Sequence, residues 1–174
     1  EIYTLSLHDA LPICLWDSAT GQPIGAPMEH EHPVFTVSFS PNGTRFLTAE
    51  DLGFEWSGRA RLWDTKTGQP IGNAMVHAGG IASAVFSPDG IRVLTASSDK
   101  TARQWDAATG QPMGLPLAHE HWVIRATYNQ DGTRILTASD DGTAWLWDGE
   151  GRFITALEGH GASVRSALFN QAGT

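Results

Sequence analysis

Between residues 77 and 118 the chain alternates short apolar runs with polar turns. IASAVF (81–86) is followed by Ser-Pro-Asp-Gly, IRVLTA (91–96) by Ser98-Asp99-Lys100, and TARQW (101–105) by ATGQP. MGLPL (113–117) closes the series. Runs of this length, rich in β-branched residues and bounded by turn formers, predict four consecutive strands rather than helices. Pro88 presets φ, Asp89 bonds nearby backbone and Gly90 accepts positive φ, so the first turn has a defined chemistry. The fourth run carries Pro116, which cannot donate to a ladder, so it is expected at a sheet edge.

This pattern recurs along the chain. CLWD at 14–17 returns as RLWD at 61–64, RQWD at 103–106 and WLWD at 145–148, so successive tryptophans Trp16, Trp63, Trp105 and Trp147 lie 47, 42 and 42 residues apart. FSPNGTRFLTA from Phe39, FSPDGIRVLTA from Phe86, YNQDGTRILTA from Tyr128 and FNQAGT from Phe169 keep the same beat. TGQP occurs at 20–23, 67–70 and 109–112, and His30, His77, His119 and His160 each stand four residues before an apolar run. A period near 42 with four strands per unit is the signature of a repeat architecture whose units stack to bury their faces.

On these residues the chain resembles a WD40 β-propeller over residues 14–174. The resemblance implies an all-β fold of four-stranded antiparallel blades. It also implies a hydrogen-bonded structural tetrad per blade: a His, a Ser/Thr, an Asp and the repeat Trp. Matched by position, these are His77, Thr95, Asp99 and Trp105 in one unit and His119, Thr137, Asp141 and Trp147 in the next. The unit before offers His30, Thr48 and Trp63. Its Asp position is disturbed by a five-residue insertion, with Asp51 as the candidate. Such residues read as architecture, because a buried imidazole flanked by carboxylate and hydroxyl is satisfied, as is an indole N–H with an acceptor.

Counted in blades, residues 14–28 supply the last two strands of one, 30–76, 77–118 and 119–158 supply three complete ones, and 160–174 begin another. The expectation is therefore an open piece of a propeller, a fragment of a longer protein whose exposed blade faces promote self-association. Residues 1–13, EIYTLSLHDALPI, ignore the repeat. Back-translated, they resemble the common adapter oligonucleotide of short-read sequencing read in frame, and are expected to be non-native. Cys14 would then stand where the repeat has Arg61, Arg103 and Trp145. Arginine is the expected native residue, with Ser and Gly codons also compatible. A real N-terminal strand is the alternative.

Composition narrows the function. The formal charge is −8, or −6 without Glu1 and Asp9. That opposes general nucleic-acid binding, which needs Lys and Arg on phosphates. No apolar run approaches the roughly 18–20 residues that span a bilayer, so no membrane partner is expected. The one cysteine, Cys14, excludes an internal disulfide. No catalytic motif is present, and no metal or cofactor is expected. The triplets His30-Glu31-His32 and His119-Glu120-His121 suggest metal ligands by type, but His30 and His119 already occupy tetrad positions. Asp140-Asp141-Gly142 reads as a turn rather than a calcium loop.

The 50–61 stretch EDLGFEWSGRAR replaces the SSDKTAR of the next unit and adds Leu52, Phe54 and Trp56. In the family, this loop and the one entering the inner strand open on one face. That face would gather His32, Leu52, Phe54, Trp56, His121 and Trp122 as a contact surface for a protein or peptide partner. Folding of the insertion over its own blade is the alternative. Arg125 is expected on the central channel, with Arg165 less defined. The function expected is a non-catalytic interaction scaffold. The alternative is the sensory or targeting propeller of a larger signalling enzyme such as a serine/threonine kinase or an NTPase. The location is left unknown, with the cytoplasm favoured, because the true N-terminus is expected to be missing.

Overall fold

A computed structural model describes residues 12–50 and 57–170, and every element among them is a strand. β1 (Ile13–Trp16) pairs with β2 (Pro23–Met28). Three four-stranded sheets follow. The first contains β3 (Val34–Phe39), β4 (Arg45–Glu50), β5 (Arg59–Asp64) and β6 (Pro70–Val76). The second contains β7 (Ile81–Phe86), β8 (Arg92–Ser97), β9 (Thr101–Asp106) and β10 (Pro112–Ala118). The third contains β11 (Val123–Tyr128), β12 (Arg134–Ser139), β13 (Ala144–Asp148) and β14 (Phe153–Leu157). Each is an antiparallel meander in chain order, and the proline-bearing strands β6 and β10 lie at the edges. There the missing N–H costs no ladder bond.

The second strand of each sheet, FLTA, VLTA or ILTA, is buried over nearly its whole length. A strand buried on both faces needs a continuous apolar run rather than alternation. The cores therefore lie between sheets. Leu47, Ala49, Leu62 and Met75 of the first sheet meet Ile81, Ala84, Val93 and Trp105 of the second. Leu94, Ala96, Ala102 and Leu117 of the second meet Val123, Ala126, Ile135 and Trp147 of the third. Ile13, Leu15 and Met28 close on Phe46 and Trp63 in the same way. Each fully buried Leu, Ile or Val contributes roughly 1.5–3 kcal/mol, so the stacking of sheets dominates stability. The inner strands β3, β7 and β11 lie side by side, and the three sheets do not close into a ring.

The turns follow the sequence chemistry. Asp89 accepts from Ser87 Oγ (2.5 Å) and the Ile91 N–H (2.9 Å), with Gly90 at φ +72°. The Asp of the repeat WD dipeptide is also a turn residue: Asp106 Oδ1 accepts from Ala108 N, Thr109 N and Thr109 Oγ1 at 2.8–3.0 Å. The TGQP turn that follows docks on the neighbouring sheet. Asn73 N–H donates to Thr109 O at 2.8 Å. A Cβ at Gly72 would collide with Thr109 O, and one at Gly110 with Asn73 O. Glycine is required there by close approach as well as by positive φ.

One expectation fails. The apolar pattern at 164–169 predicts an inner strand, yet 160–170 form no ladder. Among the described residues no second strand pairs with this segment. It lies instead on the third sheet, where Val164 is buried against Leu136, Ala138 and Ala144 and its N–H donates to Ser139 O (3.0 Å). β1 also starts at Ile13, one residue inside the segment expected to be foreign. The strand-like stretch YTLSL within residues 1–11 lies outside the described residues.

Candidate functional site

Two sets of residues could carry function: the buried histidines and the face where the inner strands begin. In the second sheet, Trp105 Nε1–H donates to Thr95 Oγ1 (2.8 Å), which is also bonded to His77 Nε2 (2.6 Å). The other ring nitrogen, His77 Nδ1, donates to Asp99 Oδ2 (2.8 Å). The third sheet repeats this with Trp147 to Thr137 (2.9 Å), Thr137 to His119 (2.7 Å) and His119 Nδ1 to Asp141 (3.1 Å). Because a carboxylate can only accept, Nδ1 carries the proton and the chain of bonds has one direction. Burial alone would raise both aspartates. Hydrogen bonds from His77, Thr101 and the Ala78 N–H outweigh it at Asp99 and hold that carboxyl well below its usual range. At Asp141, bonds from Thr143, Ser139 and His119 likewise bring the pKa to about 2. Burial pushes the His119 pKa down.

Among the described residues the first sheet shows only part of this chain. Trp63 Nε1–H donates to Thr48 Oγ1 (2.9 Å), and Thr48 meets His30 Nε2 (3.0 Å). His30 Nδ1 then donates to a main-chain acceptor, Met28 O, at 2.9 Å. Asp51, the sequence candidate, lies outside the described residues, as do Leu52, Phe54 and Trp56. Glu50 occupies the register position of Ser97 and Ser139. It is 1% exposed, and neither carboxylate oxygen has a partner among the described residues. Ser97 Oγ at the equivalent place donates to Gly79 O. Burial lowers the His30 pKa, with Glu50 opposing as a nearby negative charge.

The two HEH triplets are split by the fold. His30 and His119 turn inward, while Glu31 pairs with Arg59 at 3.0 Å. Among the described residues no group of three or more His, Cys, Asp or Glu converges as a metal site would. His121 is exposed, with Nδ1 3.2 Å from Asp140 Oδ2 and its ring 5.3 Å from that of Trp122. His32 is half-buried.

The face where the inner strands begin holds a cleft of about 560 Å³. Its walls come from all three sheets: Phe35 from β3, Ile81 and Ala82 from β7, and Val123 and Ile124 from β11. Trp122, Asp140, Ser98 and Arg165 also line it. Phe35 is 73% and Trp122 38% exposed. The turns beneath are fixed by Ser98 N–H to Gly80 O and Asp140 N–H to Trp122 O, both 2.9 Å. Of the sequence candidates, Trp122 lines the cleft and His121 stands beside it. Phe35 is not among those candidates, although a Phe one residue into an inner strand whose sisters are Ala82 and Ile124 is a visible signal. Arg165, rather than Arg125, lines the cleft. In the register Val34, Ile81, Val123 and Val164, Arg165 is level with Phe35, whereas Arg125 is one residue further along.

Four-stranded antiparallel sheets stacked face on face, inner strands adjacent and each carrying a buried His–Thr–Trp chain, define a repeat protein of the β-propeller type. The chain belongs to the WD40-repeat family: the family described as WD domain, G-beta repeat matches residues 21–64, 68–106 and 110–148, well over half of its length. No curated protein matches it. Domains of this family commonly serve as protein-interaction scaffolds and are usually non-catalytic.

Proposed function

We propose that this domain is a non-catalytic platform that binds a protein or peptide through the face where its inner strands begin. The observation that carries the reading is the cleft of about 560 Å³ with Phe35 and Trp122 exposed at its rim. Covering large aromatic groups beside an apolar hollow takes apolar surface out of water and lowers the free energy, and aromatic anchors dominate the energetics of protein contacts. The exposed His121, whose ring lies 5.3 Å from that of Trp122, supports the same reading. The buried histidines support the non-catalytic half of the reading. Each ring nitrogen of His30, His77 and His119 is already engaged by the protein. A general base would need one free to face a substrate.

The test is peptide selection from a random display library against the full chain, followed by binding measurements with the Phe35→Ser and Trp122→Ser variants. Loss of at least about tenfold in affinity is expected for each, the range of an interface anchor. Phe39→Ser, at the far end of β3 and 40% exposed, should leave binding unchanged. Binding that ignores Phe35 and Trp122 overturns the proposal.

A further inference from the structure

The register of the inner strands gives the cleft a chemical preference. Val34, Ile81, Val123 and Val164 occupy equivalent positions, and the next residue in each case, Phe35, Ala82, Ile124 or Arg165, lines the cleft. Three of the four are apolar and the fourth is a cation. Arg165 is exposed and makes no hydrogen bond or ion pair among the described residues. Arg45, Arg59, Arg92 and Arg152 are engaged, with Ala107 O, Glu31, Glu150 and Asp148 respectively, while Arg125 and Arg134 are exposed as Arg165 is but do not line the cleft. The acid of the cleft, Asp140, already has His121 at 3.2 Å. Arg165 is thus the charged group of the cleft that has no partner among the described residues, although the chain as a whole is −8.

We infer that the cleft receives a peptide segment presenting an apolar side chain beside a carboxylate, the apolar group seating between Phe35, Ile124 and Trp122 and the carboxylate meeting Arg165. This rests on the binding-platform reading above. A guanidinium offers a planar fork that matches a carboxylate bidentately. The apolar walls strengthen the pair by excluding water. The acidic surface elsewhere favours basic partners at long range, but that field is screened beyond about 8 Å at physiological salt. Contact with Arg165 then decides, and a Lys or Arg placed there meets a like charge.

The same display selection tests this by composition. The full chain is expected to enrich peptides with Asp or Glu next to Leu, Ile or Phe. A synthetic copy of an enriched peptide should bind about fivefold more weakly to Arg165→Gln, as for a partly exposed ion pair. It should lose a similar factor when its acid is changed to Gln. Arg165→Glu should enrich Lys or Arg at that place instead. Because the peptide is varied as well as the protein, a variant that misfolds does not decide the result. Enrichment without acidic bias, or peptides that depend on Phe35 but bind Arg165→Glu equally well, would end the carboxylate assignment and leave the binding face standing. Peptides indifferent to both residues, or no enrichment at all, would end both readings.

Discussion

The first and second sheets bury the same His–Thr–Trp chain, at nearly the same distances, and complete it differently. In β7–β10 the imidazole ends on Asp99, which is fixed in turn by Thr101 and the Ala78 N–H. In β3–β6 it ends on the carbonyl of Met28, and a carboxylate, Glu50, is buried nearby with no partner among the described residues. The difference separates what a sheet of this kind requires from what is added to it. The shared Thr hydroxyl joins two buried rings in both sheets. Among the described residues the imidazole nitrogen that meets a carboxylate in the second sheet meets a main-chain carbonyl in the first.

The largest expected effect breaks the common part. Thr95→Val and Thr48→Val each keep the shape of the side chain and remove the oxygen between indole and imidazole. Two buried polar groups then lose a partner in either sheet, at about 2–3 kcal/mol per variant. Urea denaturation should show similar losses for the two. A much smaller loss at Thr48 would mean that the first sheet does not depend on the chain at all.

The carboxylates should show opposite signs. Asp99→Ala strands the His77, Ala78 and Thr101 donors and should cost about 1–3 kcal/mol. Glu50→Ser installs the residue of the other sheets and removes a buried charge, and should stabilise by about 1 kcal/mol. Destabilisation by Glu50→Ser would show that the carboxylate is paired. Acid sharpens the contrast. His30 and His119 have pKa values lowered by burial from the ordinary 6.5, so the unfolded chain takes up protons first and stability falls as pH drops below about 6.5. The aspartate contribution has a lower window: present in full above 3.8, it disappears as pH falls through the folded value, about 2 for Asp141. Thermal melts from pH 7 to 2 should show a shallow first loss and a steeper second one. In Asp99→Ala the second should shrink while the first remains.

Much of this architecture is legible in the amino-acid pattern alone, for physical reasons. Turn chemistry and period assign β7 to its residues, and a proline marks β10 as an edge. The His, Thr and Trp positions follow from the 42-residue beat. The Met28 acceptor is not legible, because every residue carries a carbonyl and sequence does not say which one an imidazole will meet. Residues 164–169 read as a strand because strand patterning is local, whereas a strand exists only with a neighbour to bond. Aromatics in loops draw attention away from Phe35, although the bulge between Val34 and Thr36 in the β3–β4 register leaves its side chain outward. Arg165 needs the repeat position counted from Val164, which places it level with Phe35 and one residue before the position of Arg125.

The smallest effect concerns the arginine that opens the second strand of each sheet. Arg45 reaches into the next sheet and donates to Ala107 O (2.7 Å). Arg92 does the same to Gly149 O (2.5 Å) and adds Glu150 Oε1 (2.9 Å). Their equivalent in the third sheet, Arg134, is exposed and its guanidinium makes no such bond among the described residues. The same residue at the same place thus links sheets in two cases and meets solvent in the third. Alanine at Arg92 should cost about 1–2 kcal/mol, since a partly buried charge-assisted pair is lost. At Arg45 the cost should be about 1 kcal/mol, and at Arg134 it should stay within about 0.5 kcal/mol, as at an ordinary surface position. Urea midpoints of the three variants, measured together, give the ranking. If Arg134→Ala costs as much as Arg92→Ala, the energy belongs to the strand and not to the contact across sheets, and the arginines are no part of what holds one sheet on the next.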